Sequence, residues 1–120
     1  MTDLSGLVTR LDDLPNLVDQ TPGHTLRRFG GTQVMMQEAV MPTGTRFDTH
    51  CHHNEQMVLI LSGRVRLYVG QDAEPVELGA GDMMLLPPNM PHGGEALEDC
   101  RLIDAFSPPR TAVLGEEEPE

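Results

Sequence analysis

The sequence predicts an all-β fold, a sandwich or barrel built from one domain, and three observations lead there. From Thr25 onward the chain breaks into short β-like runs, separated by Gly and Pro about every eight to twelve residues. Helical periodicity is weak throughout. The length, 120 residues, fits a single domain with one core, which must then carry any activity the chain has.

Taken in order, residues 1–20 hold Leu4, Leu7, Leu11, Leu14 and Leu17 without a clean period and include Pro15. They read as a packed extension over one end of the barrel or over a neighbouring subunit. Residues 21–110 form the barrel, with strands expected near 25–29, 32–41, 47–52, 56–61, 64–69, 75–78, 82–86 and 101–106. Leu61-Ser-Gly-Arg64 joins two runs through a glycine, and Val65, Leu67 and Val69 alternate with polar neighbours, so these two runs are expected to pair as a hairpin. Residues 111–120, with the acidic Gly115-Glu-Glu-Glu-Pro-Glu120, read as a solvated, disordered tail. Aromatics are 3% of the chain while Met occurs eight times, so the core leans on aliphatics and methionine. Met35, Met36, Met41, Met83 and Met84 are expected to fill the barrel, with Met36 also a candidate for touching a bound molecule. Cys51 and Cys100 read as packing thiols, and His24 and His53 as solvated side chains.

The formal charge of −11, in which all eight cations are arginines, excludes a phosphate-binding surface and with it nucleic acid. No window is apolar enough for a membrane span, and the start, Met1-Thr-Asp-Leu-Ser, lacks the features of a secretory signal. A cytoplasmic protein with reduced thiols is the expectation. There is no glycine-rich phosphate loop and no serine-nucleophile elbow.

His50, His52 and His53 fall within four positions, and such clustering points to a metal ion, because neutral imidazole offers a lone pair near pH 7. In a strand, even spacing puts His50 and His52 on one face and Cys51 on the other. Gln56 shares their parity, whereas His53 and Glu55 do not. A bulge near Asn54 would reset that parity, which leaves either Gln56 or Glu55 as the residue reaching the ion.

The segment Gly44-Thr-Arg-Phe-Asp-Thr-His50-Cys-His52-His-Asn-Glu-Gln56-Met-Val-Leu-Ile-Leu-Ser-Gly63 resembles the first motif of the cupin superfamily, and Gly81-Asp-Met-Met-Leu-Leu-Pro87-Pro-Asn-Met-Pro-His92 resembles the second. Two departures stand out: Gln56 occupies the slot of the usual Glu, and Asn89 that of a usual Gly. The resemblance implies a single-domain cupin, a double-stranded β-helix or jelly-roll barrel with a short N-terminal extension. It also implies one divalent transition metal ion (Ni, Zn, Mn, Fe, Co or Cu) held by His50, His52, Gln56 and His92. A ligand set of three His and one Gln carries no negative charge, so the ion keeps its full double charge, which favours anionic substrates.

Leu102-Ile-Asp104-Ala-Phe106-Ser-Pro-Pro-Arg110 resembles the same stretch in the small cupins of pectin and alginate breakdown, which convert unsaturated uronates to linear ketouronates. The resemblance makes Asp104 a general acid or base, Phe106 a pocket wall and Arg110 the holder of a substrate carboxylate. It therefore implies a metal-dependent isomerase or lyase. Cupin polyketide cyclases, cupin dioxygenases and a non-catalytic ligand-binding or sensor barrel are the competing readings. Cupins also pair through an exposed sheet face or exchanged N-terminal strands, which implies a homodimer.

Overall fold

A computed structural model describes residues 2–18 and 23–110; the acidic tail read from the sequence lies outside them. The described chain is built from antiparallel strands in two sheets, plus a short 3-10 turn, Leu11–Asp13. The strands are β1 (Leu17–Val18), β2 (Thr25–Gly30), β3 (Met35–Met41), β4 (Arg46–His50), β5 (Glu55–Ser62), β6 (Arg64–Val69), β7 (Glu74–Gly79), β8 (Met83–Leu86), β9 (His92–Ala96) and β10 (Cys100–Ser107). A six-stranded sheet runs β1-β2-β3-β10-β5-β8, and a four-stranded sheet runs β4-β9-β6-β7. The architecture is a jelly roll. No helix among the described residues is long and apolar enough to cross a membrane.

The inner faces follow from alternation. Val58 and Ile60 of β5, Val65 and Leu67 of β6, Leu102 and Phe106 of β10, and Leu86 of β8 all point into the core with Leu26, Ala39 and Met41. Burial of these side chains, at roughly 1.5–3 kcal/mol each, is the main force holding the two sheets together. Met35 and Met41 are buried as expected, but Met36 and Met83 are 57% and 74% exposed. They sit at outward positions of their strands, so the expectation that they fill the barrel is corrected.

Three other expectations change. The runs around Gly63 do not pair: β5 bonds to β10 and β8 in one sheet, whereas β6 bonds to β7 and β9 in the other. Gly63, at φ +82°, is the corner where the chain passes between sheets, and β6 instead makes its hairpin with β7. Strand β9, His92-Gly-Gly-Glu-Ala, has little intrinsic strand preference. It is held between β4 and β6, and a Cβ at Gly94 would lie 2.5 Å from the carbonyl oxygen of Arg66. His24 is buried, sharing the inward parity of Leu26, and not solvated.

The extension joins the sheet through β1, where Leu17 and Val18 pair with Leu26 and Thr25. Arg27 pins the preceding turn by donating to Asn16 Oδ1, the Leu11 carbonyl and Asp12. Asn89 adopts φ +64°, a conformation that asparagine tolerates better than most residues, which accounts for its standing where glycine is usual.

A methyl group at Gly63 would run into the backbone carbonyl of Asp99, which has no freedom to withdraw. Gly63→Ala is expected to lower stability by about 2–5 kcal/mol, adding left-handed strain to overpacking. Gly31→Ala, where a Cβ meets nothing, should stay within about 0.5 kcal/mol, both read by urea unfolding.

Candidate metal centre

Both motifs converge on one point. Strand β4 pairs with β9 across an irregularity between Phe47 and His50, and this shift brings His50 directly opposite His92. The strand ends at His50, so His52 lies in the following loop, not in the strand expected to run to residue 52. The rings still converge, with centroids 5.6 Å (His50–His52), 4.5 Å (His50–His92) and 5.0 Å (His52–His92) apart. One ligand atom from each lies within 4.8 Å of the others.

Backbone carbonyls decide which nitrogen faces the centre. His50 Nδ1 lies 3.0 Å from the Asp48 carbonyl, His52 Nδ1 3.0 Å from that of Asn54, and His92 Nδ1 2.9 Å from that of Met90. A carbonyl only accepts, so each Nδ1 carries the proton and each Nε2 keeps its lone pair for the shared point. Burial, and then the neighbouring imidazoles, pushes His92 down from 6.5 to about 4, so it stays neutral and ready to ligate in ordinary buffers. This donor set fits a divalent transition ion.

Gln56 is buried beside this group while Glu55 is exposed, so the two residues left open by parity are separated by burial. Gln56 Oε1 lies 3.2 Å from His52 Nε2, and its amide nitrogen donates to Asp104 Oδ1 at 2.9 Å. Asp104 Oδ2 accepts from Gln37 Nε2 at 3.0 Å. Burial raises Asp104 to about 6, against the two amide hydrogen bonds and the charges of Arg110 and Arg28, which pull it down.

Phe106 is 2% exposed and meets His52 edge-on, with ring centroids 5.9 Å apart. The Arg110 guanidinium carbon sits 5.6 Å from the Phe106 ring centroid, within cation–π range. The structure thus gathers His50, His52, His92, Gln56, Asp104, Phe106 and Arg110 in one region. Met36 is left out: it projects from the outer face of β3, so its candidacy for touching a bound molecule is corrected. Cys51 and His53 are exposed, and of the two thiols only Cys100 is a packing residue.

Two residues that sequence reasoning missed complete the surroundings. Gln37 shares the inward parity of Met35 and Ala39, the one signal that could have found it. Asn54, 0% exposed, accepts from His52 through its backbone and donates from Nδ2 to the Pro108 carbonyl at 2.6 Å, tying the metal loop to the segment that carries Arg110. The sequence singles it out only as a place where the strand could bulge, with no sign of this tie.

Between pH 6.5 and 4 the unfolded chain protonates His92 and the folded protein does not, so this group subtracts stability as pH falls. Asp104 acts with the opposite sign between 3.8 and about 6, because there the folded state binds the proton. In chelator-treated protein, His92→Gln is therefore expected to gain stability relative to wild type on acidification from pH 6.5 to 4.5, on the order of 1–3 kcal/mol. Urea unfolding at both pH values measures it.

Comparison with known proteins agrees with this geometry. The family model for the cupin domain matches residues 37–106, more than half of the chain. No curated protein sequence matches significantly. An RmlC-like cupin from Shewanella frigidimarina superposes with a TM-score of 0.77 at 24% identity, covering 86% of this chain and 91% of that one. KdgF from Halomonas sp. superposes with a TM-score of 0.72 at 27% identity, covering 78% and 86%. Oxalate decarboxylase from Lactobacillus farciminis, in its formate complex, gives 0.73 at 19% identity, with 85% of this chain spanning 32% of that one. With both histidine motifs on adjacent strands of a jelly roll and the family model matched across the site, this chain belongs to the cupin domain family.

Proposed function

We propose that the protein is a metal-dependent isomerase or lyase acting on a small, oxygen-rich anion, with an unsaturated uronate as the specific candidate. The observation that carries this reading is Arg110, held over Phe106 beside an uncharged ligand set and close enough for its charge to act on both Asp104 and His92. A fixed guanidinium next to a cationic centre suits a carboxylate-bearing molecule.

A divalent ion held by His50, His52, His92 and Gln56 would supply Lewis-acid polarisation of a substrate oxygen, undiminished by ligand charge. Arg110 would grip the carboxylate and fix which carbon faces Asp104. Asp104, raised to about 6, has the proton affinity to take or return a proton near neutral pH. Phe106 supplies an apolar wall that excludes water from the reacting face. The polyketide reading would call for a long cavity lined with methionines, and the outward placement of Met36, Met57 and Met83 argues against it.

The test is incubation of metal-loaded protein with 4,5-unsaturated galacturonate while the ultraviolet absorbance of the ring double bond is followed. Faster loss than in buffer is expected, abolished by chelation and lowered about 10²–10⁴-fold in kcat by Asp104→Ala. Arg110→Met should act chiefly by raising KM with metal content unchanged. No acceleration by fully loaded protein would leave the ligand-binding barrel as the better reading.

The reading extends to a homodimer formed through the outer face of the six-stranded sheet. Phe29, Met36, Ala105, Met57 and Leu85 stand directly opposite one another across five strands, and the four larger ones are 42–58% exposed. An apolar row of that length on a solvated face is uncommon unless something covers it. Met57→Lys is expected to convert a dimer into a monomer in size-exclusion chromatography with light scattering; an unchanged mass would refute this interface.

A further inference from the structure

Gln56 presents two chemically opposite ends: its carbonyl oxygen can ligate a metal, whereas its neutral NH2 group cannot. Which end faces the three imidazoles is decided at Asp104, a link in a line of hydrogen bonds that starts three strands away. Arg28 of β2 stands opposite Gln37 of β3, and Gln37 stands opposite Asp104 of β10, which reaches diagonally to Gln56 of β5. Arg28 Nε donates to Gln37 Oε1 at 2.6 Å, Gln37 Nε2 donates to Asp104 Oδ2 at 3.0 Å, and Gln56 Nε2 donates to Asp104 Oδ1 at 2.9 Å. Gln56 Oε1 is left 3.2 Å from His52 Nε2. Gln37, Asp104 and Gln56 are 6%, 6% and 8% exposed, so little water is available to relieve a wrongly directed amide.

A guanidinium has donors and no acceptor, so the oxygen of Gln37 must face Arg28 and its NH2 must face Asp104. We propose that Asp104 is the positioning residue whose acceptor-only carboxylate turns the oxygen of Gln56 toward the three histidines, and that Arg28, through Gln37, fixes a polarity that takes over when the group at 104 can also donate. This rests on the reading of Gln56 as the fourth metal ligand. A carboxylate at 104 accepts on both sides and orients the two amides independently, so Gln56 does not need Arg28 in the wild type. With an amide at 104, Arg28 alone decides the polarity. In Asp104→Asn, Gln37 cannot flip, the new amide must turn its oxygen to Gln37 and its NH2 to Gln56, and Gln56 must then show its own NH2 to the metal. Removing Arg28 as well frees Gln37 to flip, lets the amide at 104 reverse, and returns the oxygen of Gln56 to the centre.

The experiment is Co(II) titration of chelator-treated full-length protein, reading both affinity and the ligand-field absorption spectrum. The variants are wild type, Arg28→Met, Asp104→Asn, and Arg28→Met/Asp104→Asn, with circular dichroism and urea unfolding recorded on each. Wild type and Arg28→Met are expected to share one spectrum. Asp104→Asn should bind about 10- to 100-fold more weakly with an altered spectrum, as loss of an outer partner commonly does, and the double variant should regain the wild-type spectrum and most of the affinity. A mere packing role for Arg28 would make the double variant worse than either single one. An Asp104→Asn protein that binds Co(II) like wild type, or a double variant that stays impaired, would overturn the polarity argument while leaving the metal site standing. A wild type that binds no Co(II) would overturn the site reading, and this proposal with it.

Discussion

Burying a carboxyl group on the inner face of a sheet costs several kcal/mol unless donors meet its oxygens, and at Asp104 that requirement organises the site. The donors must come from the strands on either side, β3 and β5, since β10 lies between them. They are two glutamine amides, one per oxygen. Each amide, once committed to Asp104, is directed at its other end: Gln37 toward Arg28, and Gln56 toward His52. One buried group thus fixes the orientation of polar side chains across four strands, while the aliphatic core around it fixes only their distances.

The histidines obey a separate and more local rule. Each Nδ1 lies near a carbonyl two residues away, so the tautomer is set by the ligand's own loop and does not await the metal. Loop geometry also supplies the link to the C-terminal segment. Asn54 bonds to His52 on one side and to Pro108 on the other, so the loop that would hold an ion and the segment that would hold a carboxylate share one buried anchor.

Much of this was legible in the sequence because motif spacing and alternation are local signals. His50, His52 and His92 could be placed from the two cupin-like motifs, and Asp104 and Phe106 from the resemblance carried by Leu102–Arg110. What escaped was set by tertiary contacts. Strand β9 carries Gly93 and Gly94 because the flanking strands leave no room for a side chain, and a sequence reader sees only two turn-forming residues there. Gly63 has the look of a hairpin glycine, yet the partner of β5 lies some forty residues on, in β10, so the glycine turns a corner between sheets instead. The inward or outward sense of the methionines depended on the strand registers of β3 and β8, which composition does not carry.

The departure at Gln56 acquires a physical reason from the same geometry. With Glu in this slot, as the family pattern has it, one carboxylate oxygen would stand where Nε2 now lies, 2.9 Å from Asp104 Oδ1. Two carboxylates at that separation in a buried site cannot both ionise, so a proton would be trapped between them and Asp104 would lose its freedom to exchange one. Gln removes the conflict, since its NH2 donates to Asp104 while its oxygen, 3.2 Å from His52 Nε2, would serve an ion held by the three histidines. In the proposed ligand set, the neutral amide at position 56 and the buried acid at position 104 are therefore physically linked. A buried carboxyl at position 104 thus has a physical reason to stand beside an amide at position 56, and an ion bound by the proposed uncharged set would be left without a compensating charge for an anionic molecule to meet.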